Sequence, residues 1–344
     1  MKFVPLALLS TLSLVQLQNS AHSQASDSFF KDKTISVLIP TPPGGGYDLY
    51  SRLFVRFIGE FIPGQPNVVA QNRPGASGFI MAQSLFNTAS KDGLTLGMPP
   101  QNVATEEILG NPAARFKSAE FEWIGRLNSN VPVHYVWHTH PAQTIEDVKR
   151  FELLSGADAQ MSTQGFPPKL LNLLTGTRFK VISGYGGGAK VRLAVESGEL
   201  HAGVAPAALL KSELAEWLRS GRIRVLVQYG PGRHPEFPDI PSAVELAQVA
   251  EDREVIRFFV SDSAVGRSIA APPSVPQDRI VALRSAFDQM IKSSAFIEET
   301  KKRNIEIDAM SGEELRRVVS ATSELPSALV ERARAIMQTV QKGQ

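Results

Sequence analysis

Three consecutive glycines, Gly44 to Gly46, lie between an apolar segment and an amphipathic one in the stretch IPTPPGGGYDLYSRLF. A helix that begins directly after such a turn presents backbone N–H groups that have no partner within the helix. The helix dipole adds partial positive charge there, and the missing side chains let a ligand approach the backbone. The segment from Pro43 onward therefore predicts an anion-binding loop that needs no Lys or Arg. A tight turn that needs glycine only for its backbone angles is the alternative.

Asp48 follows this loop closely, and its negative charge would repel a bound anion. We expect its carboxylate to accept hydrogen bonds from N–H groups of the loop, as acidic residues do at the start of helices. Asp48 would then fix the conformation of the loop rather than contact the ligand.

A second turn of small residues repeats the arrangement in QNRPGASGFIMAQSLF, where Ala76, Ser77 and Gly78 precede a helix-like segment. In an open α/β sheet, the loops that follow the carboxyl ends of the strands form the ligand-binding crevice. Two helix N-termini that face one crevice would suit a carboxylate.

The elements that must position these loops alternate between strands and helices. Thr34–Ile39 predicts a buried strand. A helix over residues 47–61 is predicted from apolar residues that recur every four positions: Leu49, Leu53, Phe57 and Phe61. The alternation indicates an α/β fold with mostly parallel sheets. Further strands are predicted at NVVAQN, LTLGM, FEWIGRL, VPVHYVW, AQMST, FKVIS, HAGVA and RIRVLVQY. Further helices are predicted at residues 79–89, 144–151, 168–175, 189–197, 207–218, 277–291, 295–302, 312–320 and 326–341.

The length and composition of the chain allow two domains, because 344 residues with 43% hydrophobic content can bury a sizeable core. We expect a crossing between domains where NSN separates the segments FEWIGRL and VPVHYVW. The predicted division is a first domain of residues 26–127 plus 251–344 and a second domain of residues 128–250.

The N-terminal 25 residues read as a secretory signal. Lys2 precedes a mostly apolar segment over residues 3–17, and small residues near Ser23 and Ala25 have the spacing that signal peptidase requires. We expect cleavage near Ser23 or Ala25 and an exported protein. A membrane anchor or a buried N-terminal helix is the alternative, although the apolar segment is short for a membrane span.

The charge and cysteine content exclude several classes of function. The 36 Lys and Arg against 34 Asp and Glu give a net charge of +2, spread along the chain, so no nucleic-acid partner is expected. The chain has no cysteine, which excludes disulfides, thiolate metal sites and cysteine nucleophiles.

The stretch VISGYGGGAK offers a different chemistry. Gly184, Gly186 and Ala189 match the G-x-G-x-x-A form of a dinucleotide-binding loop. The acidic residue that this motif requires at the end of the next strand is missing, because HAGVAPA ends in apolar residues. The missing acidic residue weighs against nucleotide binding, and an exported nucleotide-using enzyme is kept only as the alternative. In a two-domain binding protein, Tyr185 of the same turn could line the ligand cleft.

Histidines and serines were considered for metal binding and catalysis. His134, His138 and His140 alternate in VHYVWHTHP, and a His-x-His pair can bind zinc. No nearby carboxylate completes the set, and no G-x-S-x-G segment provides a nucleophilic serine. We expect no metal, no cofactor and no catalytic residue.

Three segments together resemble a known family. ISVLIPTPPGGGYDLYSRLF, VVAQNRPGASGFIMAQSLFNTASKDGLTLGM and PDIPSAVELA look like the corresponding parts of the periplasmic substrate-binding proteins of tripartite tricarboxylate transporters, the Bug family. The resemblance extends over residues 34–320 and is weaker over residues 111–163. It implies a periplasmic-binding-protein-like Venus-flytrap fold of two α/β domains joined by hinge strands. It also implies a monomer that binds one small organic carboxylate in the interdomain cleft and docks on membrane permease subunits.

The resemblance also implies where the ligand contacts lie, through backbone N–H groups and ordered water. The implied residues belong to four loops: Pro43, Gly44, Gly45, Gly46 and Asp48; Ala76, Ser77 and Gly78; Gln101 and Asn102; and Ser162, Thr163, Gln164 and Gly165. The chain departs from the family pattern at Thr41, where an aromatic residue is usual, and at Phe166 to Pro168, which make the last loop bulkier.

These observations predict an exported solute receptor, present in the periplasm, for a small organic carboxylate. A sensor subunit for a membrane kinase would use the same binding chemistry with another partner. The number of carboxylates on the ligand stays open, and an amide ligand stays open as well.

Overall fold

The computed structural model describes residues 29–342, so the predicted signal peptide at residues 1–25 lies outside the described residues. The strands are β1 Thr34–Ile39, β2 Asn67–Asn72, β3 Thr95–Gly97, β4 Glu122–Asn128, β5 Pro132–Trp137, β6 Leu153–Ala157, β7 Phe179–Ser183, β8 Ala202–Pro206, β9 Ile223–Gln228, β10 Arg267–Ala271 and β11 Met310–Ser311. No helix within residues 29–342 is long and apolar enough to cross a membrane.

The helices flank two sheets. They are α1 Gly46–Ile58, α2 Phe79–Asn87, α3 Val103–Leu109, α4 Phe166–Thr175, α5 Gly188–Glu196, α6 Ala207–Lys211, α7 Ala215–Arg219, α8 Ala243–Leu246, α9 Ala250–Val260, α10 Asp262–Val265, α11 Gln277–Met290, α12 Ser294–Lys302, α13 Gly312–Ser323 and α14 Ser327–Lys342. Short 3-10 turns lie at Ala76–Gly78, Ser118–Glu120 and Ile145–Lys149.

The six-stranded sheet has the order β11-β4-β10-β3-β1-β2, and we call it and its helices the first lobe. The five-stranded sheet has the order β7-β6-β8-β5-β9 and forms the second lobe. Strand β1 pairs parallel with β2 and β3, whereas β10 runs antiparallel to β3 and β4. In the second lobe β5 runs antiparallel to both of its neighbours. The expected parallel arrangement is present among β1, β2 and β3 and among β6, β7 and β8, but both sheets are mixed, because β5 and β10 run antiparallel to their neighbours.

The first sheet is buried on both faces, as the alternation of side chains along a strand requires. Val37 of β1 and Ile124 of β4 pack with α1 and α11, while Leu38 and Trp123, their chain neighbours, pack with α2 and α13. Helix α1 contributes a buried apolar stripe that includes Phe54 and leaves its arginines toward solvent. The amphipathic spacing read in the sequence thus fixes the orientation of α1.

Within residues 29–342 the chain passes twice between the two sheets, and the two crossing segments lie side by side. It leaves the first sheet after Asn128 and enters the second at Pro132, then returns between Val260 and Arg267. The backbone N–H of Asn130 donates to the carbonyl of Ser263 at 3.0 Å, which ties the two crossings together.

Helices α9 and α14 connect the lobes. Ile256 and Val260 of α9 belong to the apolar cluster of the second lobe, and Ile336 of α14 packs against it. The Arg334 side chain of α14 donates to the carbonyl of Leu109 in the first lobe at 3.1 Å. The domain boundaries given above stay a prediction.

Several elements differ from the sequence-based expectations. Residues 159–163, expected as a strand, form a turn, and the strand is Leu153–Ala157 instead. Within this strand Gly156 is closely packed, because a Cβ there would lie 2.5 Å from Leu200 and 2.8 Å from Val191. The strand therefore needs small residues where α5 packs closely. The helix expected over residues 207–218 is divided into α6 and α7 at Ser212, and α9 and β10 were not predicted.

Candidate functional site

A cavity of about 380 Å³ lies between the two lobes, and we call it the cleft. Five of the residues implied by the family resemblance line it. Ser77, Gln101 and Asn102 come from loops of the first lobe, and Ser162 and Thr163 come from the loop after β6 in the second lobe. Loops that are far apart in the chain thus meet at the carboxyl ends of parallel strands.

The turn over residues 75–78 packs tightly against the two neighbouring loops. Gly75, Ala76, Ser77 and Gly78 all have positive φ angles, an arrangement that L-residues adopt at a cost in energy. A Cβ on Gly78 would lie 2.7 Å from Pro40 and 2.6 Å from Pro100. Gly78 therefore allows the loops after β1, β2 and β3 to meet, although Ala76 and Gly78 themselves do not line the cleft.

The glycine loop ends at the start of α1, where Gly45 is the N-cap and no side chain caps the helix. The backbone N–H of Gly44 donates to Oδ2 of Asp48 at 3.1 Å, and Arg52 and Asn72 also donate to this carboxylate. These hydrogen bonds, that from Arg52 above all, lower the pKa of Asp48 to about 2. The expected hydrogen bond from a loop N–H to the Asp48 carboxylate is therefore present, and its role in fixing the loop stays a prediction.

Arg267, the first residue of β10, lies beside the glycine loop and lines the cleft. A Cβ on Gly46 would lie 3.4 Å from its Nη2 atom. The guanidinium sits over the Tyr47 ring at 4.0 Å from the centroid, and its Nη1 donates to Oε1 of Gln101 at 3.2 Å. Strand β10 therefore brings a cation beside a loop that was expected to bind an anion without Lys or Arg, and anion binding by the loop stays a prediction.

Gln101 connects this cation to the crossing between the lobes. Its Oε1 accepts hydrogen bonds from Arg267 and from Nδ2 of Asn130 at 2.7 Å, and its backbone N–H donates to the Tyr47 hydroxyl at 2.8 Å. Asn130 also lines the cleft. No local sequence pattern indicated Tyr47, Asn130 or Arg267 as cleft residues, because their positions depend on contacts between distant segments.

The remaining implied residues lie around the cleft rather than in its lining. Pro43 to Gly46 and Asp48 form the loop beside Tyr47 and Arg267. Gln164 donates through Nε2 to the carbonyl of Val204 at 3.1 Å and lines a neighbouring cavity of about 150 Å³. Gly165 is confined, since a Cβ there would lie 2.3 Å from the carbonyl oxygen of Ala159.

Tyr185 lies apart from the cleft. Its hydroxyl donates to Oε1 of Glu199 at 2.6 Å, and this hydrogen bond raises the pKa of Tyr185 to about 12. The GYGGGA turn joins β7 to α5, with positive φ at Gly184, Gly186 and Gly187.

Two acidic side chains line the cleft near the crossing segments. Oδ1 of Asp262 accepts a hydrogen bond from the Thr105 hydroxyl at 2.7 Å. Burial raises the pKa of Asp262 well above its usual range, and the charge of Glu106 acts in the same direction. Glu106 accepts a hydrogen bond from Nδ2 of Asn111 at 2.7 Å.

An apolar wall completes the cleft on the side of the second lobe. Phe166 and Leu170 of α4, Ile256 and Val260 of α9 and Met337 of α14 line it. Phe166 also packs edge-on against Phe259, with the ring centroids 4.7 Å apart. Phe166, noted above as a bulky departure from the family pattern, is thus part of the wall.

The histidines do not form the zinc-binding face considered above. Strand β5 ends at Trp137, so His138 and His140 lie beyond it. His134 is fully buried between the Tyr229 hydroxyl at 2.9 Å and the Ser155 hydroxyl at 3.0 Å, and burial lowers its pKa to about 3. Within residues 29–342 no group of three or more His, Cys, Asp or Glu side chains is arranged to hold a metal ion.

Comparisons with known proteins agree with this architecture. A family model described as "Tripartite tricarboxylate transporter family receptor" matches residues 61–335. Protein BugT of Bordetella pertussis is 25% identical over 302 residues, which cover 85% of this chain and 86% of BugT.

Solved structures share the fold at low sequence identity. A TctC solute-binding protein from Polaromonas superimposes with a TM-score of 0.67 at 19% identity, covering 89% of this chain and 98% of that one. The R. palustris protein Rpa4515, solved with adipate, superimposes with a TM-score of 0.61 at 19% identity, covering 90% and 97%. The fold is therefore that of a periplasmic binding protein of the TctC type, as the sequence predicted.

Proposed function

The chain belongs to the tripartite tricarboxylate transporter family of receptors, and we propose that it binds a small organic carboxylate in the cleft between its two lobes. The family model describes a receptor, the Polaromonas neighbour is a solute-binding protein, and Rpa4515 was solved with adipate, which supports a carboxylate as the ligand class. The role is binding and delivery to the permease subunits of a tripartite membrane transporter, without catalysis. The family also supports export to the periplasm.

One observation supports the proposal most directly: Arg267 lies in the cleft beside the uncapped start of α1. A guanidinium and a carboxylate form charge-assisted hydrogen bonds, which are about twice as strong as neutral ones. The free N–H groups and the dipole at the start of the helix favour an anion at the same place. A ligand carboxylate there would accept hydrogen bonds from the guanidinium and from these N–H groups.

The opposite lobe supplies the closing contacts in this proposal. Ser162 and Thr163 line the cleft across from Ser77, so movement of the lobes toward each other would enclose the ligand. Enclosure removes water, and electrostatic interactions then act in a lower dielectric. The hydrogen bond between Asn130 and Ser263 lies at the crossing about which such a movement would turn.

A thermal-shift screen of the mature protein against a panel of carboxylates tests this function. A ligand at about a hundred times its Kd stabilises by roughly 2.7 kcal/mol, which shifts Tm by several degrees. Arg267→Gln should abolish the shift, whereas Arg219→Gln, the same change at an exposed pair with Glu216, should retain it. Absence of a shift with every carboxylate, or an unchanged shift in Arg267→Gln, would overturn the proposal.

A further inference from the structure

The charges that line the cleft are unequal in sign. In the described part of the chain, its lining holds one cation, Arg267, and two carboxyl groups, those of Asp262 and Glu106. Every other lining side chain is uncharged. The cleft therefore has a cation for one carboxylate and none for a second.

No ion pair inside the protein changes this balance. The ion pairs formed within residues 29–342 do not include Arg267, Asp262 or Glu106. Arg267 contacts the neutral groups of Tyr47 and Gln101, and the two acids accept hydrogen bonds from neutral donors. The cation is thus available to a ligand, Glu106 opposes a second anion, and Asp262, whose pKa is raised by burial, supplies no positive charge.

The rest of the cleft favours an apolar ligand body. Its apolar wall is formed by side chains of helices α4, α9 and α14. They are Phe166, Leu170, Ile256, Val260 and Met337. A hydrocarbon group placed against them leaves water without giving up hydrogen bonds. A second carboxylate placed there would lose its hydration and find no cation.

We propose that the cleft selects monocarboxylates with an apolar body and discriminates against di- and tricarboxylates. The inference rests on the proposed function and narrows it. Arg267 and the start of α1 hold the single carboxylate, the apolar wall holds the body, and a second carboxylate would find no cation and would be repelled by Glu106. A hydroxyl or amide on the body is compatible, because either acid can accept a hydrogen bond from it.

Matched ligand pairs test the inference by isothermal titration calorimetry at one pH and one salt concentration. Hexanoate and adipate share a six-carbon chain, and benzoate and terephthalate share a ring, so each pair differs by one carboxylate. We expect the monocarboxylate to bind at least tenfold tighter in each pair that binds. Lengthening from butyrate to hexanoate should tighten binding about fourfold for each methylene buried against the wall.

A variant of Glu106 tests the cause. Glu106→Gln should raise the affinity for adipate and leave the affinity for hexanoate nearly unchanged, so that the tenfold ratio narrows. Glu107→Gln is the matched control, because Glu107 follows Glu106 on α3, pairs with Lys117 and does not line the cleft. It should leave the ratio as in the wild type. Melting curves of each variant confirm that it is folded.

The outcomes separate this inference from the proposed function. If adipate or terephthalate binds as tightly as its partner or tighter, the selection for monocarboxylates is overturned and carboxylate binding stands. The same selection is overturned if Glu106→Gln leaves the ratio unchanged or if Glu107→Gln alters it equally. If neither member of any pair binds, carboxylate binding itself fails.

Discussion

The guanidinium of Arg267 lies over the ring of Tyr47, 4.0 Å from its centroid, and thereby joins the start of β10 to the start of α1. The Tyr47 hydroxyl accepts the backbone N–H of Gln101, whose side chain in turn accepts a hydrogen bond from Arg267. The three residues form a closed set of contacts. Tyr47 therefore determines where the positive charge of the cleft lies.

We predict that Tyr47→Leu weakens carboxylate binding about tenfold while the protein stays folded. A cation over an aromatic ring is stabilised by about 0.5–2 kcal/mol, and without the ring the guanidinium loses its fixed position. Tyr47→Phe keeps the ring and removes only the hydrogen bond with Gln101, so it should bind much more like the wild type. Calorimetric Kd values of the two variants decide the matter, and equal losses would assign the effect to the hydroxyl.

The glycine loop gives a second prediction: Gly45→Val should remove carboxylate binding without unfolding the protein. Gly45 has φ −99° and ψ 177°, and a Cβ there would meet no atom within 4 Å, so the fold tolerates a side chain. A valine at the N-cap would cover the uncapped N–H groups of α1. Gly232→Val, also in open space, is the control. Wild-type affinity in Gly45→Val, measured by calorimetry, would exclude this backbone from the site.

A third prediction concerns the packing of the loops in the first lobe. Gly78→Ala should lower the free energy of unfolding by about 3 kcal/mol, because its Cβ would overlap Pro40 and Pro100 in a backbone with φ +91°. Gly221→Ala separates the two causes, since φ is +71° but no atom lies within 4 Å. It should cost only about 1 kcal/mol. Urea denaturation measures both, and equal losses would show that the overlap is relieved.

The buried His134 predicts how stability depends on pH. Its pKa in the folded protein is about 3, below the ordinary 6.5, because burial disfavours the charged ring. As pH falls from about 6.5 toward 3, the unfolded chain takes up a proton that the folded protein does not. The free energy of unfolding should therefore fall over this range, by at most about 1.4 kcal/mol per pH unit.

The histidine variants test this assignment. His134→Gln should show a shallower decline of stability between pH 6.5 and 4 than the wild type, whereas the same change at the exposed His138 serves as the control. Urea denaturation at several pH values gives the slopes. An identical slope in His134→Gln and the wild type would contradict the prediction.

Local sequence patterns correctly predicted the strands and helices whose burial depends on residues close in the chain. The strand Thr34–Ile39 has the predicted bounds, and the predicted helix from Tyr47 onward begins one residue earlier, at Gly46. Ser77 and Gln101 line one cavity because the loops that carry them follow strands β2 and β3 of the same sheet. Chain order and strand direction were enough to bring those loops together.

The parts that were missed depend on distant segments. Strand β10, RSIAA, has small side chains and no clear apolar alternation, and it forms a strand because β3 and β4 enclose it. Arg267 begins that strand, so the cation of the cleft was missed with it. Gly266 precedes this strand, and its position requires a glycine. Its φ is +53°, and a Cβ there would lie 2.2 Å from the carbonyl oxygen of Asn128, where the two crossings meet.

The position of β10 also determines the order in which the lobes can be completed. All strands of the second sheet lie within residues 132–228, so that sheet can form from a continuous piece of chain. The first sheet stays divided into β2-β1-β3 and β4 until β10 inserts between them. Contacts between such distant residues form slowly, because a long loop must close first. A chain emerging from its N-terminus therefore completes the sheet of its second lobe first, and the first lobe acquires both its central strand and Arg267 later.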